Sequence, residues 1–203
     1  MAFNISNFKS NGLQYGGARA SLFEVQLANP GGLTLNPNSR TKFTFLCESA
    51  ELPGSTIGAI NVPYFGRTIK LAGDRTFNDW SVTILNDEDF AIRAMMERWH
   101  NSLNTLAGNR RLVTRPSARD GYKSDGTIVT QFGKGGDVIR QYEFHGLFPT
   151  DISAIALSWD TTNQVERFTV NFTYDYFIPT AQGEATPYSI DRYATQVGLV
   201  GPE

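Results

Sequence analysis

A strict alternation of apolar and polar side chains over residues 167–177 constrains the fold of this chain more than any other feature. Successive side chains of a β-strand point to opposite sides, so the segment predicts a strand with two very different faces. The apolar face carries Phe168, Val170, Phe172, Tyr174 and Tyr176. The polar face carries Arg167, Thr169, Asn171, Thr173 and Asp175. A face this apolar needs a second layer to cover it, so we expect it to lie in the core of a packed domain.

Shorter segments with the same two-residue period predict a sheet-rich chain. They cover residues 23–27, 41–47, 65–71, 80–84, 127–132, 138–144 and 155–159. Segments 65–71 and 80–84 are expected to form a hairpin with its turn at residues 72–75. An aromatic content of 12%, with 19 glycines and 9 prolines, favours strands joined by turns. The residues alone therefore predict a mainly β barrel or sandwich.

One segment has helical periodicity instead. Its apolar stripe consists of Ile92, Met95, Met96, Trp99 and Leu103. Either Asn86 or Asp87 can cap the first turn, so a helix is predicted from about residue 87 to residue 103. We expect its stripe to pack on the sheet and its charged side to face away.

The domain organisation follows changes in composition along the chain. A polar, glycine-rich arm (1–18) precedes one β-domain (19–178), and a segment rich in Pro, Gly and small residues (179–203) forms a C-terminal extension. A long basic loop is predicted at about residues 104–136. Because acidic residues interrupt its basic ones, it fits a solvated or interface loop better than a phosphate-binding one.

Charge and hydropathy exclude several classes of protein. The 18 basic and 20 acidic residues give a formal net charge of −2, which argues against a protein that grips nucleic acid or an anionic membrane. The first residues lack the pattern of a secretory signal. The apolar stretches are too short to cross a bilayer, so we expect no membrane insertion by this chain.

Few residues offer chemistry. The single cysteine, Cys47, lies on the apolar side of a predicted strand and is expected to be inert, and it rules out an intrachain disulfide. His100 and His145 are too few to build a common zinc site. Glu97 and His100 are expected to form a surface ion pair, and His145 to be a polar group at a strand end or turn. No catalytic motif is present, so we predict a non-enzyme without cofactors.

The segment from Ser49 to Tyr64 is unusually apolar for a stretch interrupted by prolines and glycines. It contains Leu52, Pro53, Ile57, Ile60, Val62 and Tyr64 with almost no charge. An extended, proline-anchored apolar loop suggests burial against a partner, although a loop folded over its own core has the same composition. Strands with unpaired edges also favour self-assembly into a closed ring.

Four blocks of sequence resemble one known family. They are residues 72–83 (AGDRTFNDWSVT) followed by Asn86-Asp87-Glu88, residues 47–53 with their Leu-Pro step, residues 146–150 (GLFPT), and Trp159-Asp160 leading into the strand that ends at Asp175-Tyr176. Their order and spacing resemble the tail tube proteins of T4-like contractile-tailed bacteriophages. The resemblance covers roughly residues 20 to 177.

The resemblance implies a fold and a role. In that family two antiparallel sheets pack as a small barrel flanked by one α-helix, and six copies form a ring. Stacked rings make the inner tail tube of the virion, through which DNA passes without specific binding. The implied partners are the chain itself and the sheath, baseplate tube-initiating, tape-measure and tail-terminator proteins, and the chain would be made in the host cytoplasm. A tube protein of type VI secretion and a monomeric β-barrel that binds a small ligand remain as alternatives.

Three sets of residues are assigned to this role. The ring-stacking loop would be Leu52, Pro53, Ile57, Ile60, Val62 and Tyr64. Polar contacts between subunits would involve Arg67, Asp74, Arg75 and Asp79, with Asp74 and Arg75 in the turn of the predicted hairpin. The lumen would be lined by the polar strand face, Thr169, Asn171, Thr173 and Asp175, because a lining without a dense basic surface does not hold phosphates.

Overall fold

The computed structural model describes residues 5–11, 13 and 16–181. The helices in these ranges are α1 (Ile5–Asn11), α2 (Pro37–Leu46) and α3 (Ala91–Leu103). The strands are β1 (Phe23–Gln26), β2 (Cys47–Ala50), β3 (Ser55–Tyr64), β4 (Arg67–Phe77), β5 (Trp80–Leu85), β6 (Thr127–Phe132), β7 (Val138–His145), β8 (Phe148–Ile152), β9 (Arg167–Thr173) and β10 (Tyr176–Ala181). None of the helices in this part of the chain is long and apolar enough to span a membrane.

The strands form two antiparallel four-stranded sheets and a separate two-stranded ribbon. The first sheet has the order β1-β6-β7-β10, and the second has the order β2-β5-β9-β8. The ribbon consists of β3 and β4, which pair only with each other. The predicted fold class, a mainly β protein of two packed antiparallel sheets, is confirmed.

Large aromatic side chains fill the space between the two sheets. The ring of Trp80 lies 4.5 Å from that of Phe144 and 5.5 Å from that of Phe172, and its Nε1–H donates to the Glu51 carbonyl at 2.8 Å. The α3 stripe is buried against the same core, and the ring of Trp99 lies 6.2 Å from that of Phe172. The core is therefore filled by protein side chains, which disfavours the alternative of a barrel with an internal ligand site.

The strand predicted at residues 41–47 is wrong, because this segment forms α2. The Asn36 side chain accepts the Asn38 N–H at 2.9 Å and Pro37 occupies the first turn, which together start a helix. Phe43 is buried whereas Phe45 is exposed, so the two residues do not share a face. The helix-starting signals at Asn36 and Pro37 therefore decide the structure of this segment, against the short alternating pattern that follows them.

The stripe predicted for α3 is confirmed, but its start is not. The helix begins at Ala91, and neither Asn86 nor Asp87 caps it. The Asp89 carboxylate accepts the Ala91 N–H at 3.0 Å, and Lys42 of α2 binds the carboxylates of both Asp87 and Asp89. These acidic residues therefore tie α2 to α3 instead of forming the first helical turn.

The predicted hairpin of residues 65–71 with residues 80–84 is wrong, because β4 pairs with β3 whereas β5 pairs with β2 and β9. Residues 49–64 are not one loop but the end of β2, a four-residue connection (51–54) and β3, and residues 72–75 lie inside β4 instead of at a turn. The turn is at Phe65 and Gly66, whose φ angles of 44° and 77° define a two-residue hairpin loop. Residues 72–75, where the turn was expected, instead lie opposite a bulge, a register shift between Ile57 and Ala59.

The last alternating segment is divided between two sheets. Phe168, Val170, Phe172 and Tyr174 are buried as predicted. Tyr176 is 47% exposed, so its predicted place in the core is wrong. The chain crosses from the second sheet to the first after Thr173, and the Asp175 N–H donates to the His145 carbonyl at 2.9 Å on the way. β10 then continues to Ala181, beyond the boundary expected at 178, and residues 182–203 of the expected extension lie outside the described residues.

The strand predicted at residues 155–159 is also wrong. The neighbour of β9 on this side is β8, formed by residues 148–152, while Leu157 and Trp159 are exposed on the connection to β9. The Ser153 N–H donates to the Thr169 carbonyl at 2.9 Å, after which the connection leaves the sheet. The alternating apolar residues here lie on a surface loop.

Candidate assembly surfaces

The β3–β4 ribbon exposes an apolar face that nothing in the described chain covers. Its cross-strand pairs on one face are Ile60 with Leu71, Val62 with Ile69, and Tyr64 with Arg67. The opposite face pairs Ala59 with Ala72, Asn61 with Lys70, and Pro63 with Thr68. All the large apolar side chains of the first set are exposed. A contiguous apolar face of this kind on a folded subunit is typical of an interaction surface.

The predicted stacking residues are distributed along this ribbon. Ile60, Val62 and Tyr64 share the apolar face, whereas Ile57 lies beyond the bulge, opposite Arg75. Leu52 and Pro53 belong to the connection between β2 and β3, at the base of the ribbon. The structure thus brings three of the predicted residues together and adds Ile69 and Leu71 from β4. The alternation in residues 67–71 could have identified these two.

The four predicted polar contact residues do not form one cluster. The Arg75 guanidinium donates to Ser55 Oγ at 2.8 Å, across the ribbon. Asp79 lies between β4 and β5, and its carboxylate accepts the Thr173 hydroxyl at 2.6 Å. Asp74 lies within β4 and Arg67 next to the hairpin turn. Arg75 and Asp79 therefore have partners within their own subunit, and the expected location of Asp74 and Arg75 in a turn is wrong.

The polar face of β9 is part of a larger surface of hydroxyl and amide groups. Thr169 and Asn171 point outward from the second sheet, beside Thr83 and Ser81 of β5. The hydroxyl oxygens of Thr83 and Thr169 are 3.3 Å apart. Ser49 of β2 lies opposite Thr83 and continues the surface. We call this set of residues, with Thr173, the hydroxyl face.

Charges lie at the rim of the hydroxyl face and are paired there. The Arg167 guanidinium binds the Glu48 carboxylate at 2.6 Å. Asp175, predicted on this face, instead lies past the end of β9, where its two carboxylate oxygens accept hydrogen bonds from Lys123 Nζ at 2.7 Å. β8 adds one exposed carboxylate to the face, because Asp151 lies opposite Asn171. The alternation in residues 81–83 was the sequence signal that could have extended the hydroxyl face to β5.

The residues that could have offered chemistry, Cys47, Glu97 and His145, have surroundings typical of structural residues. Burial raises the pKa of the Cys47 thiol to about 12, which keeps it protonated and unreactive at neutral pH. Glu97 binds Arg93 at 2.9 Å, so the predicted Glu97–His100 pair is wrong. His145 ends β7, as predicted, and stacks on Tyr176 with ring centroids 4.7 Å apart. Within the described residues, no three His, Cys, Asp or Glu side chains are grouped to hold a metal ion.

Comparison with known proteins decides the family. The sequence profile described as "Phage tail tube protein" matches residues 18–180. The tail tube protein gp19 of Enterobacteria phage T4 is 33% identical over 161 residues, which cover 79% of this chain and 90% of the relative. The chain belongs to the phage tail tube proteins. The corresponding protein of Enterobacteria phage T6 is 32% identical over the same shares of both chains.

Family membership confirms the resemblance carried by the four sequence blocks. It places the chain in the tail tube of a bacteriophage virion and gives it a structural role. It also decides for the phage family over the secretion-type tube protein. The tail tube role rests on a match that spans nearly the whole two-sheet domain, from before β1 into the last residues of β10.

Solved structures show the same fold at low sequence identity. A chain in the anti-feeding prophage baseplate superposes with a TM-score of 0.59 at 13% identity, covering 83% of this chain and 98% of that one. A chain in the sheath-tube complex of an extracellular contractile injection system gives a TM-score of 0.50 at 14% identity, covering 89% and 99%. These similarities support the two-sheet architecture independently of the sequence blocks.

Proposed function

We propose that this tail tube protein assembles into six-membered rings that stack into the inner tube of a contractile tail, and that DNA passes through the lumen during ejection. The observation that carries the proposal is the exposed apolar face of the β3–β4 ribbon on a tail tube fold. A soluble subunit gains nothing from holding four aliphatic side chains in water unless another copy covers them. The surrounding sheath and the baseplate tube-initiating, tape-measure and tail-terminator proteins are the further partners of such a tube.

The ribbon supplies the contact between rings. Burial of Ile60, Val62 and Ile69 against a neighbouring ring contributes on the order of 5 kcal/mol per subunit contact. The pairing of β3 with β4 already orders the ribbon, so little conformational entropy is lost when it docks. A ring repeats the contact once per subunit, which makes a stacked tube stable even though each contact is modest.

The hydroxyl face lines the lumen. Its threonine, serine and asparagine side chains carry no charge, Asp151 adds a carboxylate beside Asn171, and the cations at its rim, Arg167 and Lys123, are paired with Glu48 and Asp175. DNA phosphates bind to arrays of Lys and Arg, so a lining whose cations are paired and which adds a carboxylate lets DNA slide without being held. The chain works mechanically and without catalysis: its β-structure transmits force along the tube when the sheath contracts.

Reversing the character of the ribbon's apolar face tests the stacking role. In the Ile60→Asp plus Ile69→Asp variant, two carboxylates replace aliphatic side chains at diagonal positions of this face. We expect folded subunits or single rings but no long tubes, because each contact would bury unpaired charge. Negative-stain microscopy and sedimentation velocity measure tube length, and circular dichroism verifies the fold.

A matched control separates this effect from the added charge. The Asn61→Asp plus Thr68→Asp variant places the same two charges at diagonal positions of the opposite face. This variant should still form long tubes. Long tubes from the Ile60→Asp plus Ile69→Asp variant would show that the apolar face does not stack rings.

A further inference from the structure

The tip of the ribbon contains an exposed aromatic residue in a conformation unfavourable for it. Phe65 is 90% exposed and has a φ of 44°, in the left-handed region. Its ring packs edge-on against Tyr64, with centroids 4.6 Å apart. Turns of this type favour Asn, Asp or Gly at this position, because other side chains are strained there. In the free subunit Phe65 therefore combines backbone strain with an exposed apolar ring, which indicates that it is used in a contact.

A groove between β1 and α2 offers a complementary surface. It has a volume of about 400 Å³ and is lined by Glu24, Leu27, Pro37, Thr41, Thr44 and Phe45. Phe45 is 81% exposed at its wall. The groove thus presents the carbon of Pro37 and Phe45, with Gln26 and the charged groups of Glu24 and Arg40 also in its lining. Its dimensions suit the side chain of one or two aromatic residues.

The base of the ribbon and the β1–α2 groove lie at opposite ends of β2. α2 ends at Leu46, directly before β2, whereas the ribbon starts at Ser55, shortly after β2 ends. The neighbouring strand β5 is antiparallel to β2, and it too starts at the ribbon and leads to Asp87, which binds Lys42 of α2. A contact between two different surfaces is head-to-tail, and repeating it along one direction produces an open stack.

The charges beside the two surfaces are also complementary. Arg67 lies next to the turn, opposite Tyr64. Glu24 lines the groove, where its carboxylate accepts a hydrogen bond from Gln26 at 2.7 Å. The other charged residue of the groove, Arg40, donates to the Leu27 carbonyl at 2.8 Å. Docking of the tip would therefore bring the Arg67 guanidinium to the Glu24 carboxylate.

We infer that Phe65 at the ribbon tip of one copy inserts into the β1–α2 groove of a copy in the adjacent ring, with Arg67 beside Glu24. The inference rests on the proposed stacking role and names the surface that receives the ribbon. Phe65 buries its ring beside Phe45, which compensates for the strain in the turn. The contact is directional, so every ring presents tips on one side and grooves on the other.

Cross-linking within assembled tubes tests which surface receives the tip. In a Cys47→Ser background, Tyr64→Cys is combined with Thr44→Cys in the groove, which leaves Phe65 in place. The control combines Tyr64→Cys with Asn38→Cys, which is exposed on the same helix but does not line the groove. Tubes are treated with a short bis-maleimide and separated on a denaturing gel. The Thr44 pair should give a ladder beyond dimers, because each chain carries one tip and one groove.

The result separates the groove from the stacking role itself. Normal tubes in which the Thr44 pair cross-links no better than the Asn38 pair would overturn the groove assignment and leave ribbon stacking intact. Long tubes from Ile60→Asp plus Ile69→Asp would overturn stacking as a whole.

A charge exchange in the chain with its native cysteine gives a second, independent measurement. Arg67→Glu and Glu24→Arg should each raise the concentration needed for tube formation roughly tenfold, and the double variant should restore it. Additive losses in the double variant would contradict the pairing of the two residues.

Discussion

At the scale of single residues, two aromatic side chains have opposite surroundings. Trp80 is buried between the sheets, and its indole N–H donates to a carbonyl, so it meets the requirements of a core residue. Phe65 is exposed on a strained turn and contributes nothing to the core. Backbone strain and an exposed ring destabilise the free subunit, and only burial of the ring by a partner would offset this. Such a residue is typical of an assembly surface.

Cys47 gives a prediction for pH dependence. Its thiol pKa is raised by burial from 9.0 to about 12, so the unfolded chain loses this proton at lower pH than the folded one. Stability from this group is complete below pH 9 and is lost as the pH rises toward 12, by up to about 1.4 kcal/mol per pH unit. Urea unfolding of the assembly-deficient subunit between pH 8 and about 10.5 should therefore show a steeper decline for the native chain than for Cys47→Ala. Equal slopes would show that the thiol is not buried.

At the scale of elements, the crossing between the two sheets is the most constrained point. Gly146 joins β7 to β8 with a φ of 71°, and its N–H donates to the Asp125 carboxylate at 2.6 Å. Asp175 passes beside it and is held by Lys123. The β7–β8 connection at Gly146 and the β9–β10 connection at Asp175 therefore pack closely together at the point where the chain leaves the second sheet and enters the first.

Replacing this glycine should therefore be costly. A Cβ at Gly146 would overlap the Asp175 carboxylate and would occupy the left-handed region, so Gly146→Ala should lower the free energy of unfolding by about 2–4 kcal/mol. Gly136→Ala is the matched control, because Gly136 has a φ of 86° but open space around its Cα. That variant should lose only about 1 kcal/mol. Equal losses in denaturant unfolding would show that the crossing tolerates a side chain.

At the scale of the whole molecule, the apolar surfaces are separated from the polar hydroxyl face. The ribbon and the β1–α2 groove present exposed apolar side chains near opposite ends of the second sheet, while the hydroxyl face lies on the outer side of that sheet. Such a division suits a subunit that is covered at both ends and open to a channel on one side. The exposed charges of α3, including Glu97, lie on a different surface.

Thiol labelling of intact tubes tests this orientation. In a Cys47→Ser background, Asn171→Cys on the hydroxyl face should react with a small maleimide but not with one too bulky to enter the channel. Glu97→Cys on α3 is the control and should react with both reagents. Mass spectrometry of the labelled chains measures the extent of reaction. Rapid modification of Asn171→Cys by the bulky reagent along the tube would place the hydroxyl face outside.

The sequence by itself determined the elements whose periodic pattern is long and strong. The buried face of β9 and the stripe of α3 follow from the spacing of apolar residues, because every step of the backbone repeats the same geometry. The family could also be identified from four short blocks, since their order and spacing are properties of the chain alone. The apolar character of residues 49–64 left a partner surface and a loop folded over its own core as alternatives, and the structure shows these side chains exposed.

Only the tertiary structure decided which surfaces those elements build. Thr83 and Thr169 are 86 positions apart, and the pairing of β5 with β9 alone places their hydroxyl groups together. Tyr176 continues the alternation of β9 yet is exposed, because the chain changes sheets before reaching it. The form of the ribbon was also decided by tertiary structure, because residues 55–64 pair with residues 67–77 as exposed strands instead of forming a loop. Periodicity is a local property of the backbone, whereas burial and the neighbours of a side chain depend on contacts between distant segments.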